Sequence, residues 1–129
     1  MIGWLEKKRY AAIILTLLVA IEIFYFSSIS VVSGKGGIGL IPIIYHLTVF
    51  FLFNFFLLIS IKGNKEIKIS YVIIALGISI IYALSDEFHQ IFVPLRDPSI
   101  QDILIDTIGI FLSTIFIFYF NKKKFPRNY

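Results

Sequence analysis

Four long apolar runs, separated by short polar segments, form the main pattern along this chain of 129 residues. A helix needs roughly 20 mainly apolar residues to cross the hydrocarbon core of a bilayer. The third run is short, and it reaches spanning length only if the helix continues through Asp86 towards Gln90. We therefore predict four membrane-spanning helices, over residues 10–28, 40–61, 69–90 and 102–120 to within a few positions.

The composition supports a membrane protein. Hydrophobic residues make up 58% of the chain and the mean hydropathy is +0.90, whereas a soluble domain is about 45–50% apolar. The chain has no cysteine, which excludes disulfides and thiolate metal sites. The first run is longer than the roughly 7–15 apolar residues of a signal peptide and no Ala-x-Ala site follows it, so we interpret it as a retained helix. We predict an all-α polytopic protein in which residues 1–129 form one four-helix bundle.

Basic residues predict the orientation of this bundle in the cell membrane. Cytoplasmic segments next to membrane spans carry an excess of Lys and Arg. Two basic residues, Lys35 and Arg96, lie on one side of a four-span chain. The others flank the opposite ends of the spans, in the N-terminal segment, the middle loop and the C-terminal tail, so we expect both termini in the cytoplasm. Each cluster is short and adjoins a span, so the net charge of +4 does not indicate nucleic-acid binding.

The same orientation places most carboxylates and both histidines on the extracytoplasmic side. Ionisable groups in or beside membrane spans are costly, and by default they are candidates for a functional site. The alternative is an ordinary polar loop between two helices. The cluster consists of Glu22, His46, Asp86, Glu87, His89, Arg96, Asp97, Asp102 and Asp106.

Helical spacing groups these residues further. Asp86, His89 and Gln90 stand at positions i, i+3 and i+4 and therefore share one face, whereas Glu87 lies about 100° away. On the fourth helix a polar stripe continues into small residues at i, i+4, i+7 and i+11, a pattern that favours close helix contact. We expect this stripe to face the bundle interior; it comprises Asp102, Asp106, Gly109 and Ser113.

These residue types allow acid–base chemistry on an anionic group. A histidine beside carboxylates can transfer protons near neutral pH, so the candidate catalytic residues are His89, Asp86, Glu87 and Asp106. A guanidinium offers a planar fork to phosphate. The candidate substrate-binding residues are therefore Arg96, His46, Asp102 and Gln90. The surplus of carboxylates argues against a simple anion site unless a divalent cation bridges them, but no fixed metal motif is present and we assign no metal ligand.

The segment Ser85–Pro94 and its surroundings resemble the VanZ-like family of small membrane proteins. The family pattern is close to S-D-E-x-H-Q-x-F-x-P-G-R, followed by D-x-x-x-[ND]-x-x-G at the start of the next helix. Matches also include the aromatic end of the first run, Phe24–Ser28, and a histidine at the start of the second helix. The resemblance covers residues 10–120 approximately, and the matching positions after the block are Arg96, Ser99, Asp102, Asp106 and Gly109.

The chain departs from the family pattern at several positions. Leu95 replaces the usual Gly before the arginine, and Ser113 replaces a second small Gly. No basic residue shortly precedes His46, and Val49 and Phe50 stand where Glu-Tyr is frequent. The family is named after a protein linked to teicoplanin resistance, so the resemblance implies a cell-envelope setting and does not imply a particular reaction.

Three functions remain open at this point. The first is an enzyme or binding protein for an outer-leaflet lipid-linked phosphate or envelope precursor, with Arg96 and His89 facing each other across a pocket between helices. The second is a non-catalytic scaffold or accessory subunit whose polar cluster is structural. The third, a transporter or ion conductor, is disfavoured because the inner halves of the helices carry few polar groups. The membrane lipid is the expected partner, and the oligomeric state is open.

Overall fold

The computed structural model describes residues 2–30, 39–96 and 98–125, and over these residues the protein is all-helical. Four of its helices are long and apolar enough to span a membrane, as predicted. Lys35, Asp97 and Arg127 lie outside the described residues. The helices are α1 (Ile2–Lys7), α2 (Arg9–Ser27), α3 (Leu40–Lys62), α4 (Ile69–Gln90) and α5 (Ile100–Lys124).

The helix bounds in the structure differ from the predicted bounds mainly at α5. This helix begins two residues early, because the Ser99 side chain caps it by accepting a hydrogen bond from the Gln101 backbone N–H. It also extends to Lys124, where three lysines in the last turn complement the negative end of the helix dipole. The short helix α1 was not predicted, since six residues carry too little periodic signal.

Helix α3 is the centre of the bundle. Half of its apolar window is buried, against 28% for each other spanning helix, and it packs against α2, α4 and α5. The α3–α5 contact is close, because Gly109 lies against the α3 backbone: a Cβ built there would be 2.5 Å from the Leu47 carbonyl oxygen. This close approach determines which residues of α3 lie opposite the polar stripe of α5.

Asn54 forms a polar contact in the middle of the bundle that sequence reasoning missed. Its side chain is fully buried. The Asn54 Nδ2 donates to Ser113 Oγ at 3.2 Å and to Thr114 Oγ1 at 3.0 Å, and Ser79 Oγ donates to Asn54 Oδ1 at 3.1 Å. The Asn54 amide thus joins α3, α4 and α5. These hydrogen bonds stabilise the packing of the three helices, because a buried polar group without a partner is costly.

The two ends of the bundle differ in their polar contacts. At the end that carries α1 and the last turn of α5, here called the terminal end, the Glu6 carboxylate pairs with Lys62 Nζ and Lys124 Nζ at 2.5 Å each. Lys62 is 1% exposed and also donates to the carbonyl oxygens of Gly63 and Lys65. Burial acts to raise the pKa of Glu6, but the hydrogen bonds and charges of the two lysines outweigh it and lower that pKa. These contacts hold α1 against the ends of α3 and α5.

Candidate functional site

A cavity of about 670 Å³ opens at the other end of the bundle, here called the loop end. Its walls come from α2, α3, α4 and the first turn of α5. Much of the lining is apolar, and polar side chains reach it from all four helices and from the turn between α4 and α5. The ionisable groups that line the cavity are Glu22, Tyr45, His46, Asp86, Arg96 and Asp102.

His46 and Asp106 form a pair that joins α3 to α5. The His46 Nδ1 lies 3.0 Å from Asp106 Oδ1, and Asp106 is fully buried. A carboxylate only accepts hydrogen bonds, so the hydrogen-bond network assigns the proton of the neutral ring to Nδ1 and leaves Nε2 as an acceptor. A carboxylate that orients a histidine in this way prepares it for proton transfer. The interior position of Asp106 follows the stripe that the spacing predicted.

Gln90 links two carboxylates at the C-terminal end of α4. Its Nε2 lies 3.0 Å from Asp86 Oδ2 and 3.2 Å from Glu87 Oε1, and all three residues are buried. The other oxygen of Glu87 accepts the Ser99 backbone N–H at 2.8 Å. Glu87 therefore fixes the turn that leads into α5, and Asp86 and Gln90 are the members of this group that line the cavity.

Arg96 fastens this same turn to the end of α2. Its Nε donates to the Ile29 carbonyl oxygen at 3.1 Å and its Nη2 to the Phe26 carbonyl oxygen at 2.7 Å. The carbonyls at the end of a helix lack partners within the helix, so a cation there is favourable. The guanidinium thus lies at the edge of the cavity with two of its nitrogens engaged.

His89 takes a different position from the one its spacing suggested. Its ring lies 4.6 Å from that of Phe24, and its Nε2 is 3.0 Å from Ser28 Oγ. It therefore contacts the last turn of α2 and is absent from the cavity lining, which contains Arg96. Asp86 and Gln90 share the interior face with Glu87, while His89 lies to one side.

Several residues that line the cavity were not predicted as site residues, and Tyr45 and Phe26 are two of them. Tyr45 and Phe26 place their rings edge to face with centroids 5.6 Å apart, and both line the cavity. Within the described part of the chain the buried Tyr45 hydroxyl has no hydrogen-bond partner, nor does Asp106 Oδ2. Their position next to His46 and one turn after Glu22 was the available signal in the sequence. Among residues 2–30, 39–96 and 98–125, no group of three or more His, Cys, Asp or Glu side chains has the arrangement of a metal site.

Comparison with known proteins places these features in a family. The sequence matches the profile of VanZ/LLP1 over residues 5–121. The chain belongs to the VanZ/LLP1 family. No curated protein and no solved structure shows significant similarity to it. The family match covers all four spanning helices almost to the end of α5, and it includes every residue that lines the cavity.

The backbone at Leu95 agrees with the resemblance described in the sequence analysis. This residue has a φ of 64°, in the left-handed region that favours glycine. The family pattern given above has a Gly at this position, so the backbone of the turn keeps a conformation that Leu adopts at a cost. The turn presents Arg96 to α2, and its geometry therefore bears directly on the site.

Replacing Leu95 by Gly is expected to raise the free energy of unfolding by about 0.5–1 kcal/mol. A left-handed conformation costs a non-glycine residue roughly 1–2 kcal/mol, and the greater unfolded-state entropy of Gly offsets part of the gain. Denaturant unfolding in detergent micelles measures the change. The control is Leu95→Ala, which removes the exposed side chain but keeps the Cβ. An equal gain from both variants would contradict the assignment to backbone strain.

Proposed function

We propose that this VanZ/LLP1 protein binds a membrane lipid in the loop-end cavity, with a phosphate of its head group at Arg96 and His46. The observation that carries the proposal is the combination of a largely apolar cavity of about 670 Å³ with an oriented His46–Asp106 pair and an arginine. Ligand sites are typically apolar clefts with a few convergent polar groups. A lipid-linked phosphate or an envelope precursor has the matching amphipathic form.

Arg96 and His46 have different roles in this proposal. Arg96 has a guanidinium that can bind a phosphate while it remains anchored to α2. His46 Nε2 lies on the ring whose other nitrogen Asp106 holds, so it can accept or return a proton at the head group. We infer that the loop end faces the extracytoplasmic side, from the Lys and Arg distribution, which would place the cavity at the outer leaflet.

A second function, a non-catalytic scaffold, has its own support. Two hydrogen bonds tie the α4–α5 turn to the rest of the bundle, from Arg96 to the Phe26 carbonyl and from the Ser99 backbone N–H to Glu87. Gln90 in turn donates to Glu87 within α4. In that case the cluster would stabilise the bundle and no ligand would be needed. Substitution of one partner would then unfold the protein instead of removing a binding function.

Native mass spectrometry of the purified protein tests the proposal directly. The probes are a dioleoyl glycerophospholipid and dioleoylglycerol, which have the same chains and differ in the phosphate head group. We expect the wild-type protein to retain the phospholipid at least about tenfold better, which corresponds to about 1.4 kcal/mol. Arg96→Gln should lower this preference, and Lys68→Gln, at the exposed terminal end, should not.

The outcomes separate the two functions. Retention of neither lipid by folded wild-type protein, or equal retention of both, would refute phosphate recognition in the cavity. If His46→Gln and Arg96→Gln melt well below the wild type while no lipid is retained, the scaffold function is favoured. The wild-type comparison decides the binding question even if a variant does not fold.

A further inference from the structure

The charges around the cavity specify more about the head group than its phosphate. Glu22, Asp86 and Asp102 all line the cavity, and Arg96 is the only Arg or Lys among the lining residues within the described chain. Besides Arg96, the one described lining residue that can carry a positive charge near these carboxylates is His46, which already pairs with Asp106, so a phosphate monoanion at Arg96 would leave the three carboxylates in excess. Unpaired carboxylates next to a bound anion are unfavourable, so a phosphate alone does not complement this cavity.

The aromatic lining provides a second, independent indication. Phe26 and Tyr45 present neighbouring rings to the cavity in an edge-to-face pair. The face of an aromatic ring attracts an ammonium group, and aromatic side chains commonly line sites that bind such groups. Glu22 lies one helical turn before Phe26, on the same face of α2, so a carboxylate and an aromatic ring adjoin at this wall.

An unsatisfied polar atom marks the same wall. The buried Tyr45 hydroxyl has no hydrogen-bond partner within the described chain. The Ser27 hydroxyl also lines the cavity, but it adjoins the Asp86 carboxylate, which can accept its hydrogen bond. Buried hydroxyls are usually satisfied, so the unpartnered Tyr45 hydroxyl indicates that a polar ligand group completes the site.

We infer that the ligand of this cavity is a zwitterionic aminophospholipid, whose ammonium binds among Glu22, Asp102 and the Phe26–Tyr45 rings while its phosphate lies at Arg96. This inference rests on the proposed function and specifies its ligand class. The ammonium supplies the positive charge that the carboxylates lack. Its N–H groups donate hydrogen bonds, which the carboxylate oxygens of the cavity can accept. The Tyr45 hydroxyl, which lines the same cavity, would donate a hydrogen bond to an ester or phosphate oxygen of the same lipid.

The test compares two phospholipids with identical acyl chains. Purified protein is incubated with equimolar dioleoyl phosphatidylethanolamine and dioleoyl phosphatidylglycerol, and bound lipid is measured by native mass spectrometry. The two head groups share the phosphodiester, to which one adds an ethanolamine ammonium and the other an uncharged glycerol. We expect the ethanolamine lipid to be retained about tenfold better, because one charge-assisted hydrogen bond contributes roughly the free energy of a tenfold change in affinity.

Matched variants locate the preference in the cavity. Glu22→Gln and Asp102→Asn remove one charge each with little change in shape, and together they should reduce the preference to about one. Tyr45→Phe keeps the ring and Tyr45→Leu removes it, so only the second should weaken the preference for the ammonium lipid strongly. The control is Glu66→Gln, which removes a carboxylate at the terminal end and should leave the preference unchanged.

Each result is decisive. Equal or better retention of phosphatidylglycerol by the wild type would overturn the ammonium inference and leave the phosphate-lipid proposal intact. Retention of neither lipid by folded wild-type protein would refute the proposed function itself. A preference for phosphatidylethanolamine that persists in the Glu22→Gln/Asp102→Asn variant would also overturn the inference, because the preference would then arise outside these carboxylates.

Discussion

Replacing Lys62 by methionine is expected to lower the free energy of unfolding by about 3 kcal/mol. The Lys62 side chain is fully buried, and its ammonium contacts the Glu6 carboxylate and two backbone carbonyls at the terminal end. Methionine preserves the length of the side chain but leaves those acceptors without their donor. Glu6 keeps Lys124, whose side chain is 38% exposed and provides a weaker, more solvated partner.

A double-mutant cycle identifies the cause of that loss. Glu6→Gln/Lys62→Met removes both buried charges, so we expect it to be more stable than Lys62→Met alone by about 1–3 kcal/mol. Unfolding in detergent micelles, followed by circular dichroism, measures all members of the cycle. The control is Lys68→Met at an exposed position, which should change stability by less than about 0.5 kcal/mol. A Lys62→Met variant no less stable than this control would show that the buried pair does not hold α1 in place.

Replacing Gly109 by alanine is expected to destabilise the bundle by about 2–3 kcal/mol. The added Cβ would be 2.5 Å from the Leu47 carbonyl oxygen and 3.2 Å from the Phe51 backbone nitrogen. Both are backbone atoms of α3, so the contact is relieved only if the two helices separate. Asp106 lies one turn before Gly109 and His46 precedes Leu47, so the same separation should disturb the His46–Asp106 pair.

Gly77 provides the matched control for this substitution. A Cβ built at Gly77, in the middle of α4, meets nothing within 4 Å. Gly77→Ala should therefore stabilise the helix by about 0.5–1 kcal/mol, the opposite sign from Gly109→Ala. Thermal unfolding compares the two variants, and the NMR signals of the His46 ring report whether its pairing with Asp106 changes. Similar stability changes in both variants would contradict the close α3–α5 contact.

The candidate site was only partly accessible to sequence reasoning. The residue types and the shared end of the bundle were predictable, because helical spacing places Asp102 and Asp106 on one face and charges in apolar runs are costly. Which groups meet was not predictable. His46 and Asp106 are 60 residues apart in the chain and yet form the central pair, whereas His89, beside two carboxylates in sequence, contacts α2.

Two buried polar networks away from the cavity were not predicted. Asn54, Ser79 and Ser113 form a buried network in the middle of the bundle, and Glu6, Lys62 and Lys124 form a second one at the terminal end. Glu6 and Lys62 looked like ordinary flanking charges, since sequence alone does not show that α1 folds back over the ends of α3 and α5.

The sequence by itself determined the all-helical class, the four spanning helices and the end of the bundle at which the ionisable groups of the cavity lie. These are local properties, because the length of an apolar run and the 3.6-residue period act within one helix. Only the tertiary structure decided the pairing of His46 with Asp106, the burial of Lys62 and the aromatic wall at Tyr45. Those depend on the relative rotation and depth of the helices, which close contacts such as that of Gly109 with α3 set.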